Sequence, residues 1–338
     1  MQRATAQGTE TLRDRSRLPG SAYRPLRDLV TSALSVGTYL GGLDEATDRA
    51  YEDAIVEAVR AGLNGIDTAV NYRCMRSERA VGAALARVFK AGEADRSQVI
   101  VATKGGYVPF DGAPPADRAG WLQERFIRRG LCTAEEVVGS LHCLAPRYVQ
   151  DMIDTSLANL GLRAVDVYYL HNPETQLVLV PRPTFLARMR AAFEVLERNA
   201  AEGKLSWYGA ATWTGFRVPP SHREHISLEE LVAEAEKVAG AAHRFRVVQL
   251  PVNLKMQEAS TARTQRLRGA EVTLLEAARE LGVTVMASAP LLQAELAKGA
   301  NAERALRYVL GVPGIASVLC GMKQAAHVRE NMRALVTA

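Results

Sequence analysis

The sequence predicts a (β/α)₈ barrel, one closed parallel sheet ringed by helices. Three observations lead there. Short apolar, β-branched runs alternate with amphipathic stretches along the chain, which is the pattern of βαβ units around a parallel sheet. Eight such units can be read in the 338 residues, a length that suits one barrel or two average domains. Gly62, Gly161, Gly203 and Gly282 each stand just after a helical stretch, where a left-handed residue ends a helix before the next strand. A doubly wound dinucleotide fold would need Gly-x-Gly-x-x-Gly after its first strand, and Gly37-Thr38-Tyr39 does not match it.

In chain order the strands are expected at 35–38, 65–67, 99–104, 165–171, 207–212, 247–250, 283–288 and 317–320. The helices between them fall at 46–61, 78–88, 147–160, 185–202, 228–239, 273–281 and 302–310, with a last one at 324–335. Leu274, Leu275, Ala278 and Leu281 share one face, as a helix lying on a barrel requires. Residues 1–22 read as a disordered or loosely packed leader, and 23–338 as a single barrel domain.

Two connections are unusually long, and long loops in compact domains tend to be functional. The first, 105–145, has a proline-rich turn at 109–115, a helical stretch carrying Trp121, Leu122 and Phe126, and a capping box at Thr133-x-x-Glu136. It leaves the third strand at the end where barrel enzymes place their chemistry. It is therefore expected to form a lid, with Trp121 and Phe126 in the substrate pocket. The second, 213–246, begins with Trp213 and Phe216, also expected in the pocket, and contains a helix opening at Ser227-x-x-Glu230. Asn172, beside His171, completes the expected pocket set.

Composition narrows the function classes. Hydrophobic residues make up 48% of the chain, enough for a full core, and the net charge of +5 is small for this length, which speaks against a nucleic-acid partner. No apolar run approaches the roughly 18 residues of a membrane span, and residues 1–21 lack the apolar core of a signal peptide. Cys74, Cys132, Cys143 and Cys320 show no metal-ligand spacing, so no metal site is expected and they read as free thiols in a reducing cytoplasm. Oligomeric state is not readable.

The chemistry lies at strand ends. Asp67 closes Gly65-Ile66-Asp67, Tyr72 follows five residues later, Lys104 ends Val101-Ala102-Thr103-Lys104, and His171 ends Tyr168-Tyr169-Leu170-His171. Together they make a proton-donating cluster. An ammonium beside a phenol should draw the phenol pKa below its usual value of about 10. A carboxylate keeps that ammonium charged, and a histidine orients a carbonyl oxygen.

These segments resemble the catalytic tetrad of the aldo-keto reductase superfamily. Ser77-Glu78 followed by Gly82, Leu160-Gly161-Leu162 before Val165-Asp166, Gly203-Lys204-Leu205, and Val328-Arg329-Glu330-Asn331 fit the same pattern, in order, from about Arg24 onward. The resemblance implies an oxidoreductase that interconverts a small-molecule carbonyl and an alcohol by hydride transfer, with Tyr72 as the acid. It also implies a nicotinamide cofactor across the barrel mouth, NADP(H) in preference to NAD(H). Gly37, Thr38 and Tyr39 would contact it near the ring, Gln249 and Thr212 would hold its carboxamide, and Ser288, Pro290 and Leu291 would line it. Gly321 and His327 stand where the family has the lysine and arginine for the 2′-phosphate, with Lys323 and Arg329 close by to substitute, and Glu330 and Asn331 would lie at the adenine.

The sequence departs from the pattern at Ala211, where the family has serine, and at Ser288, where an aromatic usually stacks on the nicotinamide. Two other readings keep the cofactor: a regulatory subunit with little turnover, and a non-redox lyase or epimerase that uses the nicotinamide transiently.

Overall fold

The computed structural model describes residues 2–139, 141–297 and 300–336. Met1 of the expected leader, Ser140 of the expected lid, Lys298, Gly299, and the last two residues of the expected barrel domain lie outside the described residues. Eight strands close into a barrel: Leu34–Gly37, Gly65–Asp67, Ile100–Gly105, Val165–His171, Leu205–Ala211, Phe245–Pro251, Thr284–Ser288 and Ile315–Gly321. Every neighbouring pair is parallel, and the eighth strand pairs with the first through Val318↔Leu34 to Gly321↔Gly37. The barrel expected from the sequence is therefore present.

Two layers of apolar packing hold it. The larger lies between sheet and helices and includes Ile55, Val81, Ile153, Phe193, Leu231 and Val309. The smaller fills the barrel interior: Ile100 and Ala102, Val167 and Tyr169, Val247, Met286 and Leu319. Side chains alternate across a strand. The next inward position along each of these strands is therefore Lys104, His171, Gln249, Ser288 and Gly321. Two-residue periodicity thus delivers the polar residues to the mouth, directly above an apolar plug.

Close backbone approach explains two glycines. A Cβ on Gly209 would lie 1.5 Å from the Val247 carbonyl oxygen on the adjacent strand. One on Gly82 would lie 2.6 Å from the Leu160 carbonyl oxygen, where helices Arg76–Lys90 and Pro146–Leu160 meet. The glycines expected to end helices, Gly62, Gly161, Gly203 and Gly282, all have positive φ.

Residues 2–22 differ from expectation: they are ordered against the barrel floor. Helix Ala6–Arg15 is capped by Thr5, whose side chain accepts from the Gly8 amide. Thr5 donates its amide to the Ser97 carbonyl at 2.9 Å, and Ala4 donates to Asp166 Oδ1 at 2.8 Å. A hairpin, Tyr23–Leu26 with Leu29–Ser32, completes the floor and places Leu26 and Leu29 under the interior cluster. The physical reason is Asp166, fully buried, which also accepts from Arg96 Nη2 at 2.9 Å and the Val101 amide at 2.7 Å. A buried carboxylate must fill its lone pairs with donors, and the Ala4 amide is one of them.

The expected lid is also placed differently. The described residues of 105–145 fold as a small unit beside the barrel, with helix Arg118–Leu122, a wide turn at Gln123–Ile127 and a short ladder pairing Val137–Val138 with His142–Cys143. Phe126, Cys132 and Cys143 pack with Val70 and with Tyr148 and Met152 of the following helix. Among the described residues, no helix is long and apolar enough to cross a membrane.

Removing the Asp166 carboxylate leaves the Arg96 guanidinium buried without its counter-charge. Asp166→Ala should therefore lower the unfolding free energy by about 3–5 kcal/mol in urea titration and make residues 2–16 the first site cut in limited proteolysis. An unchanged urea midpoint would show that the floor does not depend on this carboxylate.

Candidate active site

Asp67, Lys104, Tyr72 and His171 converge at the barrel mouth. Lys104, only 1% exposed, donates from Nζ to Asp67 Oδ2 at 2.6 Å, to the Thr68 carbonyl at 2.8 Å and to Tyr72 Oη at 3.2 Å. Gln249 Nε2 donates to the other carboxylate oxygen, Asp67 Oδ1, at 3.0 Å. The Tyr72 and His171 rings meet edge-on with centroids 5.6 Å apart, and Tyr39 also meets Tyr72 edge-on at 5.0 Å. The four residues read together in the sequence are thus together in space.

Their titration differs from the sequence expectation in one respect. Burial raises the Tyr72 phenol well above its ordinary value, and the Asp67 and Tyr39 charges push the same way. The expected lowering by Lys104 does not prevail, because burial of the phenol disfavours the phenolate and the Asp67 carboxylate adds to it. Tyr72 is therefore a protonated phenol at neutral pH, a proton donor in its resting form. Burial lowers Lys104, and the Asp67 carboxylate opposes that. Burial first, then the Lys104 and His142 charges, hold His171 well below its usual range, so its imidazole is neutral.

A second ring of contacts fixes these groups. Ser77 Oγ donates to the Thr38 carbonyl at 2.7 Å, and Thr38 Oγ1 donates to the Asp67 carbonyl at 3.2 Å. Glu78, fully buried, accepts from Thr103 at 2.6 Å and Asn159 at 2.8 Å, which ties the third strand to two helices. His142 of the insertion holds the fourth strand's end, with Nε2 2.7 Å from the His171 carbonyl oxygen and Nδ1 2.8 Å from Gln176. Arg73, Cys74 and Met75, directly after Tyr72, are all left-handed, with φ of 48°, 54° and 68°. Non-glycine residues pay for that conformation, and Arg73 holds it by bonding the Gly42 carbonyl at 2.8 Å and Asp48 at 2.6 Å.

The mouth opens into a cavity of about 950 Å³. It is lined by Asp67, Tyr72 and His171, and by every residue expected at a cofactor: Gly37, Thr38, Tyr39, Thr212, Gln249, Ser288, Pro290, Leu291, Gly321, Lys323, His327, Glu330 and Asn331. Asn172 and Trp213 line it too. Trp121, Phe126 and Phe216 do not. Phe126 is fully buried against Tyr148 at a ring distance of 5.3 Å, and the Trp121 indole donates to the Pro109 carbonyl at 3.0 Å beside the same cluster. Phe216 is fully buried in the core between sheet and helices. A long loop must bury some rings to stay ordered, and these three serve that end.

Sequence reasoning missed Tyr107, Asn71 and Arg333, all lining the cavity. Asn71 Oδ1 sits 3.2 Å from His171 Nδ1, and Tyr107 packs edge-on against His171 at 5.3 Å. Arg333 stands three residues, about one helical turn, beyond Glu330, a spacing that could have flagged it. Arg329, by contrast, turns outward to Glu57 at 2.8 Å. The residues fit a dinucleotide in one further way. Thr212 Oγ1 is buried at the cavity wall with no hydrogen-bond partner, an orphan that a ligand amide would satisfy.

The family model described as Aldo/keto reductase family matches residues 33–301. An NADH-specific methylglyoxal reductase of Escherichia coli is 30% identical over 210 residues, 60% of this chain and 54% of that protein, so the match spans about half the length of that relative. Two solved structures share the fold. An aldo-keto reductase from Bacillus halodurans, in its holo form, has a TM-score of 0.64 at 17% identity, covering 94% of this chain and 91% of that one. An aldo/keto reductase from Klebsiella pneumoniae in complex with NADP and acetate has a TM-score of 0.59 at 18% identity, covering 91% and 87%.

His142 gives the site an acid limit. Burial lowers its pKa from 6.5 to about 4. Below pH 6.5 the unfolded chain takes up a proton that the folded chain refuses, so stability is lost as pH falls toward 4. The linked loss is roughly 3 kcal/mol. Urea titrations at about pH 7 and about pH 4 should show His142→Gln losing less stability than the native chain by about that amount. Equal losses would contradict the buried neutral imidazole.

Proposed function

The chain belongs to the aldo/keto reductase family, and we propose that it interconverts a carbonyl and an alcohol on a small molecule with NADP(H) as its cofactor. The observation that carries this reading is Lys104 Nζ reaching both Asp67 and Tyr72 Oη at the mouth of a cavity large enough for a dinucleotide and a substrate. The bound nicotinamide would supply or accept a hydride. The side chains do the rest.

A carbonyl oxygen gains negative charge as hydride arrives, and it needs a proton and hydrogen-bond donors where that charge appears. Tyr72, protonated at rest, gives the proton. Lys104 steadies the phenolate left behind, with Asp67 holding the lysine charged and in place. His171, neutral, orients the substrate oxygen. Gln249 and Thr212 are the side chains suited to a carboxamide. Lys323 and Arg333 place cationic side chains along the cavity wall distant in sequence from the tetrad, with His327 beside them. A 2′-phosphate favours such cations, and this is the argument for NADP(H) over NAD(H). Four buried free cysteines fit a reducing compartment such as the cytoplasm.

A fluorescence titration with NADPH and with NADH, followed by a panel of ketones, aldehydes and sugars, tests the whole reading. Saturable binding and oxidation of the cofactor are expected. Tight binding with no turnover on any carbonyl would favour the regulatory or non-redox alternatives instead. Tyr72→Phe should lower the rate of reduction about 10²–10⁴-fold while NADPH affinity stays within about threefold. With a raised phenol pKa and a neutral imidazole, kcat/KM for reduction should be flat from about pH 6 to about pH 9. Retained activity in Tyr72→Phe would reassign the acid. Lys323→Ala should weaken NADPH by about tenfold or more and leave NADH little changed. An equal loss for both cofactors would remove the 2′-phosphate argument.

A further inference from the structure

The insertion after the third strand sends one side chain to the reacting end of the cavity, and it is a phenol. Tyr107 lines the cavity, packs edge-on against His171 at 5.3 Å and against His142 at 5.1 Å, and is held by Tyr148, whose hydroxyl donates to the Tyr107 carbonyl at 2.8 Å. Its hydroxyl lies 3.2 Å from Thr175 Oγ1 and accepts a long bond of 3.4 Å from Asn172 Nδ2. Asn172 lines the same cavity, and its left-handed backbone, φ 45°, turns the chain right after His171. Asparagine tolerates that conformation better than most residues.

Charge is distributed unevenly along the cavity. Glu303, Lys323, Glu330 and Arg333 all come from the last forty residues of the chain. At the reacting end the ionised groups are Asp67 and Lys104, whose charges cancel across 2.6 Å. The rest is His171, neutral, with Asn71, Asn172, the Tyr107 hydroxyl, and the rings of Tyr39 and Trp213. Such a wall offers hydrogen bonds but no counter-ion for a substrate carboxylate or phosphate.

We propose that Tyr107 and Asn172 form a second hydrogen-bonding subsite, which selects a neutral carbonyl substrate carrying a hydroxyl on the carbon next to the carbonyl. The inference rests on the reductase reading above and adds the substrate class. With the carbonyl oxygen at Tyr72 and His171, the neighbouring carbon lies toward the side chains that immediately follow and flank His171. A hydroxyl there exchanges hydrogen bonds with the amide and the phenol. An alkyl group of the same size can make neither bond and leaves the amide and the phenol only their contacts with each other and with Thr175, which is the basis of the discrimination.

The test compares hydroxyacetone with butanone, which differ by a hydroxyl in place of a methyl, and adds pyruvate as the anionic analogue. Steady-state kcat/KM is measured with NADPH on the full chain and on Tyr107→Phe and Asn172→Gly. Glycine suits the Asn172 backbone, so that variant removes the amide without new strain. The native ratio of hydroxyacetone to butanone should fall about tenfold in each variant, and pyruvate should be the poorest of the three throughout. Comparing ratios cancels the intrinsic reactivity of each ketone. If both ketones lose rate equally and the ratio stands, the two residues serve only to hold structure and the proposal fails. It also fails if pyruvate is the preferred substrate. No turnover on any carbonyl, by contrast, would overturn the reductase reading itself.

Discussion

Everything at the mouth of this barrel leans on one buried ion pair, Asp67 with Lys104. Neither group could be ionised there alone, since taking a single charge out of water costs several kcal/mol. Each therefore needs the other, and both need further partners. Asp67 takes Gln249 from the sixth strand, and Lys104 takes the Thr68 carbonyl and the Tyr72 hydroxyl. The pair joins the second strand to the third at their C-terminal ends and reaches across the barrel to the sixth. A shift of one residue in either strand would turn its polar residue outward and leave the other charge stranded. The register of the sheet and the chemistry of the site are thus specified by the same contact.

The insertion after the third strand supports the site from the side rather than covering it. Its rings build a small core with the helix Pro146–Leu160, and from that base His142 grips the carbonyl of His171 while Tyr107 braces the imidazole ring. A neutral His142 is the only form that suits so dry a place. The neutral His171 beside it follows from the same dryness together with the nearby Lys104 charge. One histidine would do the chemistry and another keeps it aimed.

Much of this was legible in the sequence, and the reason is periodicity. Strand positions could be read because a fully buried strand is a short apolar run, and the polar residue ending such a run can lie only at a mouth or a floor. That logic located Asp67, Lys104 and His171, and the family resemblance added Gln249 and Ser288 at two further strand ends. It gave no hold on Trp121, Phe126 and Phe216, because a ring in a long loop serves a pocket or a private core equally well. Tyr107 and Asn71 were hidden for a related reason: each owes its position to a tertiary contact with His171, not to a local pattern. The direction of the Tyr72 pKa depended on how deeply the phenol is buried, which only the folded chain sets. The N-terminal helix carries few apolar side chains of its own. Its docking depends on a buried aspartate 162 residues further along the chain, which no local window contains.

That separation has a consequence for synthesis. Translation proceeds at about 5–20 residues per second, so residues 4–15 wait on the order of ten to thirty seconds before Asp166 exists to receive them. Through that interval the floor cannot form, and the barrel has no interior to close over Leu26 and Leu29. Folding of the earliest segment is therefore a late event, paced by the ribosome rather than by the segment's own tendency to be helical.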